Sequence, residues 1–160
     1  MKGSDNITTK LKKTLSKKSF ELFECLTFEL NDLDEQEIEI GFLENTDYVK
    51  FASNSTDKDR IPFYLEIFEG FCDFFIDNDK EVFIQYNFKS TQEFKAYIKE
   101  FLTSPINHIK SETELGEIWE ETYILISQKP KTLTGRKRML ALFKPKLIIS
   151  EKTFNPWIRS

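Results

Sequence analysis

"YLEIFEGFCDFFID", residues 64–77, is apolar except for Glu66, Glu69, Gly70, Asp73 and Asp77. Where those polar positions fall decides how the middle of the chain folds. They recur every three or four residues, the period of a helix and not the two-residue period of a strand. Pro62 stands just ahead, and proline at the first helical position loses no needed hydrogen bond. The spacing therefore predicts a helix over 62–77, apolar on nearly all sides, with one narrow acidic stripe toward water. Gly70 on that stripe either admits another segment closely or weakens the helix by about 1 kcal/mol relative to alanine.

Upstream, "KLKKTLSKK" (10–18) carries Leu11 and Leu15 four apart, the thin apolar edge of a short basic helix. In "SFELFECLTFEL" (19–30), Phe20, Leu22, Leu26, Phe28 and Leu30 alternate, broken at Glu24, which favours a strand near 20–30. Phe23, Leu26 and Leu30 also sit at helical spacing, so a helix competes there. "EIEIGFL" (37–43) alternates cleanly, and "YVKFAS" (48–53) returns beside it as an antiparallel strand.

Downstream, "EVFIQYNF" (81–88) reads as a strand after a turn at "DNDK". "STQE" (90–93) has the form of a capping box. It opens a helix over 91–103 with Phe94, Tyr97, Ile98, Phe101 and Leu102 on one stripe. Residues 104–116 read as a loop, 117–128 as a strand and 129–135 as a loop. A last strand region spans 138–150, where a short helix over 136–143 competes, and the irregular end sets Trp157 on the core. The sum is one α+β domain over 1–160, mainly antiparallel sheet packed with helices. Residues 1–18 form a basic, more loosely attached segment.

Composition agrees with a globular domain: 39% hydrophobic and 31% charged over 160 residues. Sixteen phenylalanines stand against two valines and three alanines. AT-rich codons account for that skew better than a functional aromatic cluster does. The N-terminus has no apolar h-region. The longest apolar run, Met139 to Phe143, is far short of a membrane span. Cys25 and Cys72 form neither a metal spacing nor a disulfide framework, so a cytoplasmic, reduced protein is expected.

The net charge of −4 conceals a segregation. Residues 1–18 carry +5, residues 129–160 carry +8 and the body between them −17. Either the basic ends fold back on the body, or an acidic face stays open for a basic partner.

No constellation carries chemistry with any specificity. Walker, G-x-G-x-x-G and G-x-S-x-G sequences are missing. His108 is the single histidine, placed in the 104–116 loop, and a dyad with Cys25 or Cys72 is the one thiol arrangement available. Cys72 sits in the most apolar stretch, where cysteine behaves as a small hydrophobe. Glu120 and Glu121 point to opposite sides of a strand and cannot act together. Glu66, Glu69 and Asp73 share a face, but no calcium loop or Glu-x-x-His pair accompanies them. The expectation is no catalytic residue, no metal and no cofactor.

Function therefore rests on charge. The first expectation is a non-catalytic interaction protein of the immunity, inhibitor or adaptor type. It would hold a basic protein partner through Glu66, Glu69, Asp73 and Asp77. The alternative is a nucleic-acid-associated protein using Arg136, Lys137 and Arg138 in "TGRKRM".

Overall fold

Residues 62–77 form no helix. The structure, a computed structural model, describes residues 4–34, 36–77, 83–86, 90–138 and 145–158. Helices α1 (Ser4–Thr14) and α2 (Lys17–Glu29) come first, and α2 runs into a 3-10 turn at Leu30–Asp32. Strands β1 (Ile38–Phe42), β2 (Tyr48–Ser53), β3 (Phe63–Phe68), β4 (Phe71–Ile76) and β5 (Phe83–Tyr86) make a five-stranded antiparallel meander. After α3 (Thr91–Thr103) come β6 (Ile106–Thr113), β7 (Ile118–Leu125), β8 (Lys131–Lys137) and β9 (Leu147–Phe154). These form a second antiparallel sheet in the order β8-β7-β6-β9.

The expected helix is the β3–β4 hairpin. Glu69 and Gly70 make a two-residue turn with both φ values positive, +48° and +76°. That is the turn geometry whose twist matches a hairpin, and glycine enters it without steric cost. The residues then pair as mirror images about the turn: Phe68 with Phe71, Glu66 with Asp73, Tyr64 with Phe75. A helical spacing of carboxylates is thus the reflection of one outward position through a turn. Phe63, Leu65, Ile67, Cys72, Phe74 and Ile76 are buried on the inner face. Phe71, expected in the core, is half-buried on the outer face.

The expected strand near 20–30 is the helix α2. Ser16 caps it, its hydroxyl accepting from the Ser19 N–H at 3.2 Å. Leu22, Phe23, Cys25, Leu26 and Glu29 are buried at helical spacing. Helix α3 lies where its capping box places it, with the Ser90 hydroxyl accepting from the Glu93 N–H at 3.2 Å. Both helices cover the inner face of the first sheet. Phe23 meets Phe51 at 5.7 Å, and Phe101 stands edge-on to Phe63 (5.2 Å) and Phe74 (4.5 Å), a favoured aromatic geometry. The basic helix α1 belongs to the same core, with Leu11 buried at 1% exposure.

The 104–116 region is the central strand β6, not a loop. Its sequence hardly alternates, but β7 and β9 flank it and complete its backbone hydrogen bonds, so tertiary context overrides weak propensity. Likewise 131–137 is strand β8, and β9 starts at Leu147 and runs past the expected boundary at 150 to Phe154. The turn expected at "DNDK" beyond Asp77, both ends of the 81–88 strand, and residues 139–144 lie outside the described residues. A bridge between Arg60 and Asn155 ties the end of β9 to the first sheet. Trp157 seals that corner, its indole N–H donating to the Ile61 carbonyl at 3.0 Å.

Candidate functional site

The hairpin distributes the four predicted acids over three places. Glu66 and Asp73 are neighbours on the outer face of the first sheet, both half-buried. Like charges directly opposite each other are unfavourable, and Glu66 is answered by Lys50 on β2 at 3.8 Å and the Tyr48 hydroxyl at 3.0 Å. Glu69 is exposed at the turn. Asp77 follows β4 with φ +60°, at the other end of the hairpin, roughly 20–25 Å away at strand rise. It accepts a hydrogen bond from the Tyr123 hydroxyl at 3.0 Å.

The three predicted cations face glutamates. Glu121 lies opposite Arg136, and Glu120 opposite Lys137, in the β7–β8 register. Arg136 Nε meets Glu121 Oε2 at 3.0 Å, Lys137 meets Glu120 at 3.4 Å, and Arg138 meets Glu117 at 2.7 Å. Lys131 pairs with Glu100, and Lys146 with Glu114. Alternation along β7 sends Glu120 outward and Glu121 inward, as the sequence predicts. Gly135 lets the strands close: a Cβ there would stand 2.7 Å from the Glu121 carbonyl oxygen.

Glu121 is the hub of a buried polar cluster, at 4% exposure. His108 Nε2 is 2.7 Å from Glu121 Oε1, and the Tyr123 hydroxyl 3.1 Å from the same oxygen. The imidazole stacks on the Tyr123 ring at 4.2 Å with the planes 5° apart. Asp77, Tyr123, Glu121, His108 and Arg136 thus link the end of the first sheet to three strands of the second. Burial, with the Asp77 and Glu121 carboxylates beside it, holds the Tyr123 phenol far above its ordinary ionisation range, so it stays a donor. No local sequence signal marks this cluster, because His108 falls in a stretch that reads as a loop and Asp77 in one that reads as a helix stripe.

The cysteines are poorly placed for nucleophilic work. Burial raises the Cys72 thiol well above its usual range, with Asp73 adding to the effect. Cys25 is also raised, first by burial and then by Glu29, against an opposing pull from Lys95. Both are disfavoured as thiolates at neutral pH, the form that reacts. Among the described residues no three His, Cys, Asp or Glu side chains converge as a metal site, and no helix is long and apolar enough to cross a membrane.

Burial and the bond to Glu66 push the Tyr48 phenol up to about 12. An unfolded phenol ionises near 10, so the folded state resists ionisation that the unfolded chain accepts. This contribution is fully present below pH 10 and lost as pH rises to about 12. Urea melts from pH 9 to 12 should show stability falling across that window. In Tyr48→Phe the fall should be smaller.

A further surface feature is on α2. Glu21, Glu24 and Phe28 are its exposed residues beyond the first turn, and Asn31 and Asp32 carry the exposed track into the 3-10 turn.

No protein-family model matches the chain, and no curated protein or solved structure matches it. The fold and the surface define the class: an α+β domain with an internal ion-pair ladder along its basic strand and exposed carboxylates elsewhere.

Proposed function

We propose that the protein is a small non-catalytic binding module, of the immunity, inhibitor or adaptor type, that holds a basic protein partner through its acidic surface. The observation that carries this reading is the internal use of the basic C-terminal region. Lys131, Arg136, Lys137, Arg138 and Lys146 each have a glutamate partner. Glu21, Glu24, Asp32, Asp34, Glu39 and Glu69 are exposed, and among the described residues no cation pairs with them. The acidic excess is therefore available to steer a basic protein, a long-range effect that salt screens. Of the hairpin acids, Glu69 is the one fully presented to solvent, with Glu66 and Asp73 contributing from the outer face.

For Arg136, Lys137 and Arg138 to serve nucleic acid they would have to leave their glutamates, and each phosphate contact would be offset by a broken pair. The test is a paired titration with a labelled 20-residue Lys/Arg-rich peptide and a labelled 20-nucleotide single strand. The peptide should bind saturably, with affinity and on-rate falling steeply as salt rises, and the oligonucleotide should not bind. Oligonucleotide binding that disappears in Arg136→Gln/Lys137→Gln/Arg138→Gln would replace this reading with the nucleic-acid one.

A further inference from the structure

We propose that the partner's contact face is the solvent stripe of α2, with Phe28 as its anchor. The assignment rests on the binding-module reading and names the surface that reading leaves open. At 3.6 residues per turn, Glu21, Glu24 and Phe28 fall within an arc of about 60°. The rest of the helix beyond its first turn is turned inward, with Leu22, Phe23, Cys25, Leu26 and Glu29 buried. Phe28 is 68% exposed. Among the residues whose burial is described it is the one exposed phenylalanine, the others there being buried or half-buried.

The ring is also held in place. Lys95 of α3 sets its ammonium 4.0 Å over the Phe28 ring. The same ammonium lies 3.3 Å from the carboxylate of buried Glu29. One side of the ring is thus fixed by a cation that is itself tied down, which lessens the ordering cost of binding. Aromatic side chains are enriched at interface cores, where a few anchors surrounded by a polar rim carry most of the binding energy.

Charge selects the occupant. Glu21 and Glu24 lie one to two turns before the ring and Asp32 one turn after it, while Lys17 and Lys18 mark the helix start, a turn before Glu21. A second copy would set the same acids against themselves, and nucleic acid or an anionic membrane would be repelled. The chemistry fits a protein surface whose lysines and arginines surround an apolar socket.

The test maps amide shifts of the full chain on adding two 20-residue peptides of equal positive charge. One places its cations among Gly and Ser; the other adds Leu and Trp at helical spacing. Shifts should concentrate on residues 20–32 and at Lys95. Phe28→Ala should keep its fold by circular dichroism and weaken the apolar peptide at least tenfold, with little change for the other. Glu21→Gln/Glu24→Gln should weaken both and flatten their salt dependence. Shifts centred elsewhere, with Phe28→Ala binding like the unmodified chain, would overturn the α2 assignment and leave the module reading standing. Failure of both peptides to bind would overturn the two together.

Discussion

Phe74→Ala is expected to destabilise the domain by about 3–5 kcal/mol, the usual range for emptying a fully buried phenylalanine site. Phe74 has no exposed surface and touches Phe63, Tyr97 and Phe101 edge to face. It sits where the hairpin meets α3, so the cavity opens between a sheet and a helix whose backbones are each fixed by their own hydrogen bonds. The adjacent Phe75 points the other way, stacked on Tyr64 at 4.3 Å on the outer face. Phe75→Ala should cost less than half as much, because its site is half-buried and water can fill the space. Urea denaturation of the two variants reads the facing of β4 directly. A helix over these residues would make the losses similar.

Glu121→Ala is expected to cost about 3 kcal/mol, and Glu120→Ala next to it no more than about 1 kcal/mol. Removing a buried ion's partner is costly because the remaining charge stays desolvated, whereas an exposed pair such as Glu120 with Lys137 contributes little. The Glu121 loss sits at the low end of the buried range because Arg136 is partly exposed and can recover water. Glu121→Gln should fall between the two, keeping the shape and an acceptor oxygen but losing the charge. Parallel urea melts decide the matter; equal losses at 120 and 121 would mean that the cluster contributes nothing beyond its exposed neighbour.

Much of the architecture is legible where one local signal dominates. The Ser90 cap and the stripe from Phe94 to Leu102 place α3 to within a residue. The alternation at 38–42 and 48–53 gives the first two strands and their pairing. The hairpin at 63–76 is misleading for a stated reason: reflection through a two-residue turn converts a strand period of two into gaps of three and four. Gly70 at the centre of that symmetry is the signal that distinguishes the two. In α2 the accidental alternation from Phe20 to Leu30 competes with a helical set, and Ser16 as a cap favours the helix. Reading that alternation as a strand turns Phe28 inward and hides its exposure. The strand β6 has no such local signal. His108 acquires its neighbours from register with β7 and β9, and register between distant strands is not written in any short window of sequence.

The charge segregation is legible in the sequence, but its consequence is not. Basic ends and an acidic body fit both internal neutralisation and an open acidic face. Both features are present: the β7–β8 register pairs the basic strand with the glutamates of its neighbour, and the α2 acids are separately exposed.

The division of charge into a basic set paired within the fold and an acidic set left unpaired at the surface is the central claim, and a single comparison of melting temperatures at low salt tests it most directly. Arg136→Gln/Lys137→Gln/Arg138→Gln should lose about 2–3 kcal/mol, chiefly by stranding Glu121, which lowers Tm by roughly 5–10 °C for a chain of this size. Glu21→Gln/Glu24→Gln should leave Tm unchanged or slightly raised, since it relieves like-charge repulsion on an acidic protein and breaks no pair. A fall in Tm for the glutamate variant as large as that for the basic variant would contradict the account, because it would place the α2 acids in the internal network instead of on a surface open to a partner.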